Sequence, residues 1–341
     1  QNEGRPVPKF RPSFPKRRAR YAFMAAGALG AAVLLGPRPH VEEAWAEPVV
    51  GPDVDAWLAA REARVPRLRA GEAKSVLWAD PALRAGTALS VVYLHGFSAD
   101  RHEVEPLVSD LARDLGANAY FARLTGHGQD GAALADATVE DWLADAAEAL
   151  AVGARIGERV VLVGTSTGAT LALWTAARPE VADRVAALVL VSPNLGLRDR
   201  SSRVLLWPWG GLLARLLVGA ERCFEPENEA QALHWTACYP TRALLPMMAL
   251  VDHARSLDLG EVRVPTLVVY SPRDAVVDPG ETERLLSSLG GEGPTLFRVD
   301  DSGDPAHHVI AGDIMSPGST DAVRERILAF LESVGVSAST R

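Results

Sequence analysis

The sequence predicts an α/β fold, a mostly parallel sheet covered by helices, and three observations carry that expectation. Short apolar runs alternate with amphipathic stretches from Leu89 onward. The runs are unbroken in Val, Leu and Ile, as expected of strands buried on both faces. One run also ends in a glycine-flanked turn that opens directly into a helical stretch, as sheets that bind ligands at their carboxyl ends require.

The elements follow in chain order. Leu89–Leu94 is a strand candidate, Val104–Leu115 has helical spacing, and Ala119–Leu124 is a second strand. Val139–Val152 is a helix with Trp142, Leu143, Ala146, Ala149 and Leu150 on one face. Arg159–Val163 is a third strand, Thr167–Ala177 a helix stopped by Pro179, and Val185–Val191 a fourth strand. Thr266–Tyr270 and Thr295–Val299 complete the strands, followed by helices Glu281–Leu289 and Thr320–Ser333. Between Pro193 and Val264 no strand is predicted, which is too long a gap for a plain loop. Its apolar helical pieces (Val204–Leu206, Leu212–Val218, Ala243–Leu250) and Trp207, Trp209 and Trp235 read as a helical cap. The expected organisation is a leader with linker over 1–50, a core over 51–194 and 263–341, and a cap over 195–262.

Composition narrows the function. The 341 residues are 48% hydrophobic, enough for one large domain with an insertion. Net charge is −8, yet residues 1–20 hold seven Lys/Arg against Glu3, so the remainder carries −14. An acidic body argues against nucleic acid as a partner. The two cysteines, Cys223 and Cys238, have no zinc spacing and read as free thiols, with a bridge plausible only after export.

The basic stretch ends at Arg20 and an uncharged apolar run, Tyr21–Leu35, follows before Gly36-Pro37. Basic flank plus short apolar core is the layout of a secretory signal. Ala44-Trp45-Ala46 offers a distant cleavage site, and Lys16-Arg17-Arg18 loosely resembles a twin-arginine signal. The run is short of the roughly 20 residues that span a bilayer, so a cleaved signal and a retained anchor are both open. Either places the body on the extracytoplasmic side, with membrane association possible through residues 21–35. Residues 37–52 read as a linker.

The motif Gly164-Thr165-Ser166-Thr167-Gly168 directly follows Val160-Val161-Leu162-Val163 and directly precedes a helix. A nucleophilic serine must stand on a sharp strained turn, and glycines two before and two after leave room for it. The pattern alone is weak in a chain with 29 glycines; the strand before and helix after give it weight. On these residues the chain resembles an α/β-hydrolase of the monoacylglycerol-lipase and carboxylesterase type, from about Leu89 to Leu331.

That resemblance implies a chain order of Ser, acid, His. In Ser271-Pro272-Arg273-Asp274-Ala275-Val276-Val277-Asp278-Pro279, Asp278 is engaged as a helix cap before Pro279 and Glu281, so Asp274 is the expected acid. The segment matches the family's D-x-x-V-x-P-like pattern only approximately. Of the adjacent histidines, His308 is preferred over His307, because Val309-Ile310 and Asp313 follow it in the family's manner. A metal on the His pair lacks a suitably spaced third ligand. The oxyanion donors implied are the backbone N–H of Thr167 and, from His95-Gly96-Phe97, that of Phe97. His95 and the loop Gly126-His127-Gly128 are then structural, while His102, His234 and His253 have surface or cap roles.

The implied reaction is hydrolysis of a small carboxylic ester with an apolar acyl group, through an acyl-enzyme and without a cofactor. Serine at the elbow disfavours dehalogenase and epoxide hydrolase chemistry, which uses Asp there, and dienelactone hydrolase chemistry, which uses Cys. Acyltransferase, thioesterase, C–C hydrolase, peptidase and haloperoxidase chemistry stay open, as does a non-catalytic binding protein on this fold.

Overall fold

The computed structural model describes residues 21, 24, 27, 28, 30, 31, 33–181 and 183–337. The basic stretch 1–20 lies outside the described residues, as does part of the apolar run 21–35. Among the described residues no helix is long and apolar enough to cross a membrane.

The core is a seven-stranded sheet built from β1 (Ser75–Leu77), β2 (Thr87–Leu94), β3 (Asn118–Phe121), β4 (Gly157–Thr165), β5 (Val185–Val191), β8 (Thr266–Tyr270) and β9 (Thr295–Arg298). Their spatial order is β1-β3-β2-β4-β5-β8-β9. All neighbours pair in parallel except β1, which is antiparallel to β3. Side chains alternate between the two faces. Val92, Leu94, Val160, Leu162, Leu188 and Leu190 enter one core. Val91, Tyr93, Val161, Val163, Val189 and Val191 enter the other.

Ten helices are complete among the described residues: α1 (Val54–Glu62), α2 (Leu107–Asp114), α3 (Gly131–Asp136), α4 (Val139–Ile156), α5 (Thr167–Ala176), α6 (Gly210–Val218), α7 (Glu229–His234), α8 (Leu244–Arg255), α9 (Pro279–Leu286) and α10 (Pro317–Ser333). The first core takes Trp142 and Leu143 of α4, Leu171 and Trp174 of α5, and Met247 and Met248 of α8. The second takes Leu107 and Leu111 of α2 and Ile327 and Phe330 of α10. Helix α4 starts at a capping box, with Thr138 and Asp141 bonding each other's backbone N–H. Asp278 caps α9 by accepting from Gly280 N at 3.0 Å. The reciprocal half of that expected box is absent, because Glu281 instead pairs with Arg255 at 2.8 Å.

Three expectations need correction. The segment between β5 and β8 is helical but holds a two-stranded antiparallel hairpin, β6 (Glu221–Cys223) with β7 (Cys238–Pro240). Strands of only three residues have too little pattern to be read. The two cysteines are not free thiols: Cys223 and Cys238 pair directly across that hairpin and are disulfide-bonded. Finally, residues 37–52 are docked rather than a loose linker. Trp45 packs at a tilt against Trp174 with ring centroids 5.4 Å apart, Glu43 accepts from Trp174 Nε1 at 2.8 Å, and Glu47 accepts from Arg184 at 2.7 Å.

Candidate active site

Strand order decides where the site forms. The chain goes from β2 to β3 on one side and then crosses back past β2 to β4 on the other, so the β2/β4 boundary is a topological switch point, where a crevice opens at the carboxyl ends. Ser166 stands at the end of β4, and the loop 95–100 leaves the end of β2 beside it. A Cβ placed on Gly96 would lie 3.4 Å from Ser166 Cβ.

Ser166 has φ 52° and ψ −115°, a left-handed strained turn for a residue with a Cβ. The surroundings hold it there: Ser166 N donates to Val191 O at 2.9 Å, and Ser166 O accepts from Asn194 N at 3.2 Å and Thr170 N at 3.1 Å. The flanking glycines are required sterically. A Cβ on Gly164 would overlap the Gly168 carbonyl, and one on Gly168 would overlap the Leu94 carbonyl.

The structure brings Ser166, His308 and Asp274 into one line. His308 Nε2 lies 3.0 Å from Ser166 Oγ, and His308 Nδ1 lies 2.8 Å from Asp274 Oδ2. Asp274 is 1% exposed, and its other oxygen accepts from Val276 N at 2.8 Å and Val277 N at 2.9 Å. His307 is turned away, with φ 52° and Nδ1 3.1 Å from Ser302 Oγ. Burial alone would depress the His308 pKa; the Asp274 carboxylate, helped by Asp304 and Glu103, overrides it, and the net shift is upward.

The backbone donors expected at this site are those of Thr167 and Phe97. Thr167 opens α5, so its N–H has no intrahelical acceptor. The Phe97 N–H makes no hydrogen bond among the described residues. His95 and His127 lie behind this loop as neutral acceptors: Leu124 N donates to His95 Nε2 at 3.0 Å, and Ser98 N donates to His127 Nε2 at 3.0 Å. Burial lowers both pKa values, which keeps the rings neutral.

Sequence reading missed two supporting acids. Buried Glu103 accepts from Gly96 N at 2.5 Å and Tyr93 Oη at 2.7 Å, fixing the loop that carries Phe97. Burial pushes its pKa up to about 7, against the lowering effect of those two donors. Asp304 accepts from His308 N at 2.9 Å and Val309 N at 2.8 Å and so sets the His308 turn. An acid four residues before a histidine is too common a pairing to have signalled this. His102 and His234 also need correction: they are not isolated surface or cap residues, since their rings lie 4.0 Å apart and both face Asp100.

With this geometry in hand, the relatives can be named. The family described as serine aminopeptidase, S33, a hydrolase family, matches residues 87–302. The chain belongs to the serine aminopeptidase S33 family. This S33 chain has the α/β-hydrolase fold. Among solved structures it resembles that of LipS and LipT, metagenome-derived lipolytic enzymes, at 23% identity and TM-score 0.63, covering 78% of this chain and 100% of that one. It also resembles a soluble variant of the Saccharomyces cerevisiae monoglyceride lipase, at 12% identity and TM-score 0.59, over 77% of this chain and 91% of the other. The Paleococcus ferrophilus monoacylglycerol lipase is similar at 14% identity and TM-score 0.54, over 76% and 98%. No curated protein matches the S33 chain.

Proposed function

We propose that this chain hydrolyses carboxylic esters with apolar acyl groups, short or medium acyl esters or monoacylglycerols, through an acyl-enzyme on Ser166. The observation that carries the reading is the continuous hydrogen-bonded line from Ser166 Oγ through His308 to Asp274. Ser166 Oγ attacks the ester carbonyl carbon while His308 Nε2 takes its proton. The oxyanion forms between the Phe97 and Thr167 N–H groups, each worth about 2.7–4 kcal/mol of transition-state stabilisation. His308 returns the proton to the departing alcohol, and water, deprotonated by His308, then releases the acid. Asp274 holds the imidazole in the tautomer that keeps Nε2 free to accept. An apolar acyl group suits the rings beside the proposed donor: Phe97 packs edge-on against Tyr239 at 5.3 Å and Trp142 at 6.2 Å. Neighbours described as lipolytic enzymes and monoacylglycerol lipases agree with an ester substrate.

The test is a fluorophosphonate probe with p-nitrophenyl esters of graded chain length. Wild type should label and turn over, and Ser166→Ala should do neither; labelling that survives Ser166→Ala overturns the assignment. The family name favours one second reading, a peptidase. Aminoacyl p-nitroanilides assayed alongside separate the two, since turnover of anilides without esters would select it.

Export is part of the same reading. The Cys223–Cys238 bridge suits an oxidising compartment. Amino-terminal sequencing of the mature protein checks it; a start near Tyr21 with no membrane association would sink both the signal and the anchor.

A further inference from the structure

Four potential metal-binding side chains converge on the outer side of the loop that carries Phe97. Glu72 comes from the segment before β1, Asp100 from the end of loop 95–100, His102 from the turn that follows it, and His234 from the last residue of α7. One donor atom from each lies within 4.8 Å of the other three. Asp100 Oδ1 is 2.9 Å from His102 Nδ1, Asp100 Oδ2 is 3.0 Å from His234 Nδ1, and Glu72 Oε1 is 3.2 Å from the same His234 Nδ1. Both imidazoles thus turn the same nitrogen inward, toward two carboxylates.

A second observation points to a ligand. Glu72 is only 5% exposed, and its Oε2 is shut from solvent with no hydrogen-bond partner among the described residues. A buried carboxyl set against the Asp100 carboxyl is costly unless a proton or a cation lies between them. Arg69 and Arg101 attract Glu72 through charge, yet neither donates a hydrogen bond to its Oε2. Arg69 spends its terminal nitrogens on Leu233 O and His234 O, at 3.1 and 3.4 Å. Arg101 bonds Ser75 Oγ at 3.1 Å and lies over the Phe121 ring.

The donor set decides which cation. Two imidazole nitrogens with two carboxylate oxygens suit zinc, whereas calcium and magnesium take oxygen shells. A tetrahedral zinc at about 2.0–2.2 Å from each donor needs donors about 3.4 Å apart, so the observed spacings require only small side-chain shifts. We propose that Glu72, Asp100, His102 and His234 form a binding site for a divalent transition cation of the zinc type. The cation would tie three distant segments together, fastening the cap through His234 to the loop that presents the Phe97 N–H. Thr236 N already donates to Ser98 O at 2.7 Å along the same seam.

The test uses the full chain, stripped with chelator and titrated with Zn²⁺ by calorimetry, with metal content measured after gel filtration. Wild type and His308→Ala should each retain one equivalent, and Zn²⁺ but not Ca²⁺ should raise Tm. Glu72→Gln and His234→Gln should each weaken binding by more than about tenfold, the least cost seen even for residues that only support a metal ligand. Their far-ultraviolet circular dichroism and fluorophosphonate labelling should persist, so failure of this site and failure of the proposed ester chemistry stay distinguishable. X-ray absorption of the zinc form should show two imidazoles. The site is overturned if wild type retains no zinc, if both variants bind as tightly as wild type, or if His308→Ala abolishes binding, which would put the zinc on the active-site histidine. If Glu72→Gln does not fold, His234→Gln and the wild-type titration still decide.

Discussion

His308 titrates under opposed influences, and that gives the site a pH signature. Burial favours its neutral form, while Asp274 at Nδ1, with Asp304 and Glu103 facing it, favours the charged one and prevails. The neutral form is the one that can take the Ser166 proton. Activity should therefore be present above the His308 pKa and lost as pH falls through it, with the acid limb of kcat/KM above the ordinary value of 6.5. Asp274→Asn removes the main raising cause, so the limb should move to lower pH while kcat falls about 10⁴-fold. Glu103, at about 7, is the rival titrating group. A limb that stays put in Asp274→Asn but moves in Glu103→Gln would assign it to Glu103. By accepting from Gly96 N, Glu103 is placed to act as a positioning residue. Glu103→Leu should release Gly96 N and lower kcat about 100-fold with KM nearly unchanged. A raised KM with kcat intact would mean that Glu103 shapes binding instead. His308→Ala should cost several orders of magnitude in kcat, and His307→Ala little, as measured with a p-nitrophenyl ester.

At the scale of elements, the β4–α5 elbow is built so tightly that its glycines are structural requirements. Gly168→Ala would drive a methyl group into the carbonyls of Leu94 and His95, both backbone atoms with nowhere to move. Its cost should be about 3 kcal/mol or more, read from urea unfolding. A neutral result would mean that α5 can slide away from β2. The β6–β7 hairpin has a different dependence. It is short, all three residues of β6 are exposed, and Cys223–Cys238 closes a separation of 15 residues. By chain entropy such a closure is worth about 3 kcal/mol. Reduction should therefore raise amide exchange across residues 221–240 while the strands of the sheet keep their protection. Equal loosening of both would show that cap and core unfold as one unit.

Across the whole molecule, two apolar cores clamp one sheet, and the chemistry is hung on loops at a single end of it. Ser166 after β4, the loop after β2, Asp274 after β8 and His308 after β9 come from strands spread along the chain that pair in space as β2 with β4 and β8 with β9, so the site exists only once the sheet has closed. The segment between β5 and β8, expected to be the cap, joins this frame through Met247 and Met248 in the first core and through His234 and Thr236 at the loop after β2. Its outer side is apolar: Leu212, Leu216 and Leu217 of α6 are exposed, with Trp207 nearby.

Much of this was legible along the chain. Buried parallel strands must be unbroken apolar runs, so Val185–Val191 and Thr266–Tyr270 were readable to the residue. A nucleophile elbow needs its serine between two glycines, which singled out Ser166, and chain order supplied Asp274 and the His307-His308 pair. What could not be read is whatever depends on distance across the chain. Backbone conformation at His307 turns its ring toward Ser302 and leaves His308 to face Ser166. The same holds for Glu103 beneath Gly96, for the bridge between Cys223 and Cys238, and for Glu72, Asp100, His102 and His234, brought together from three segments. Local pattern records which way a side chain faces, in or out; only closure of the sheet and docking of the cap determine what it meets there.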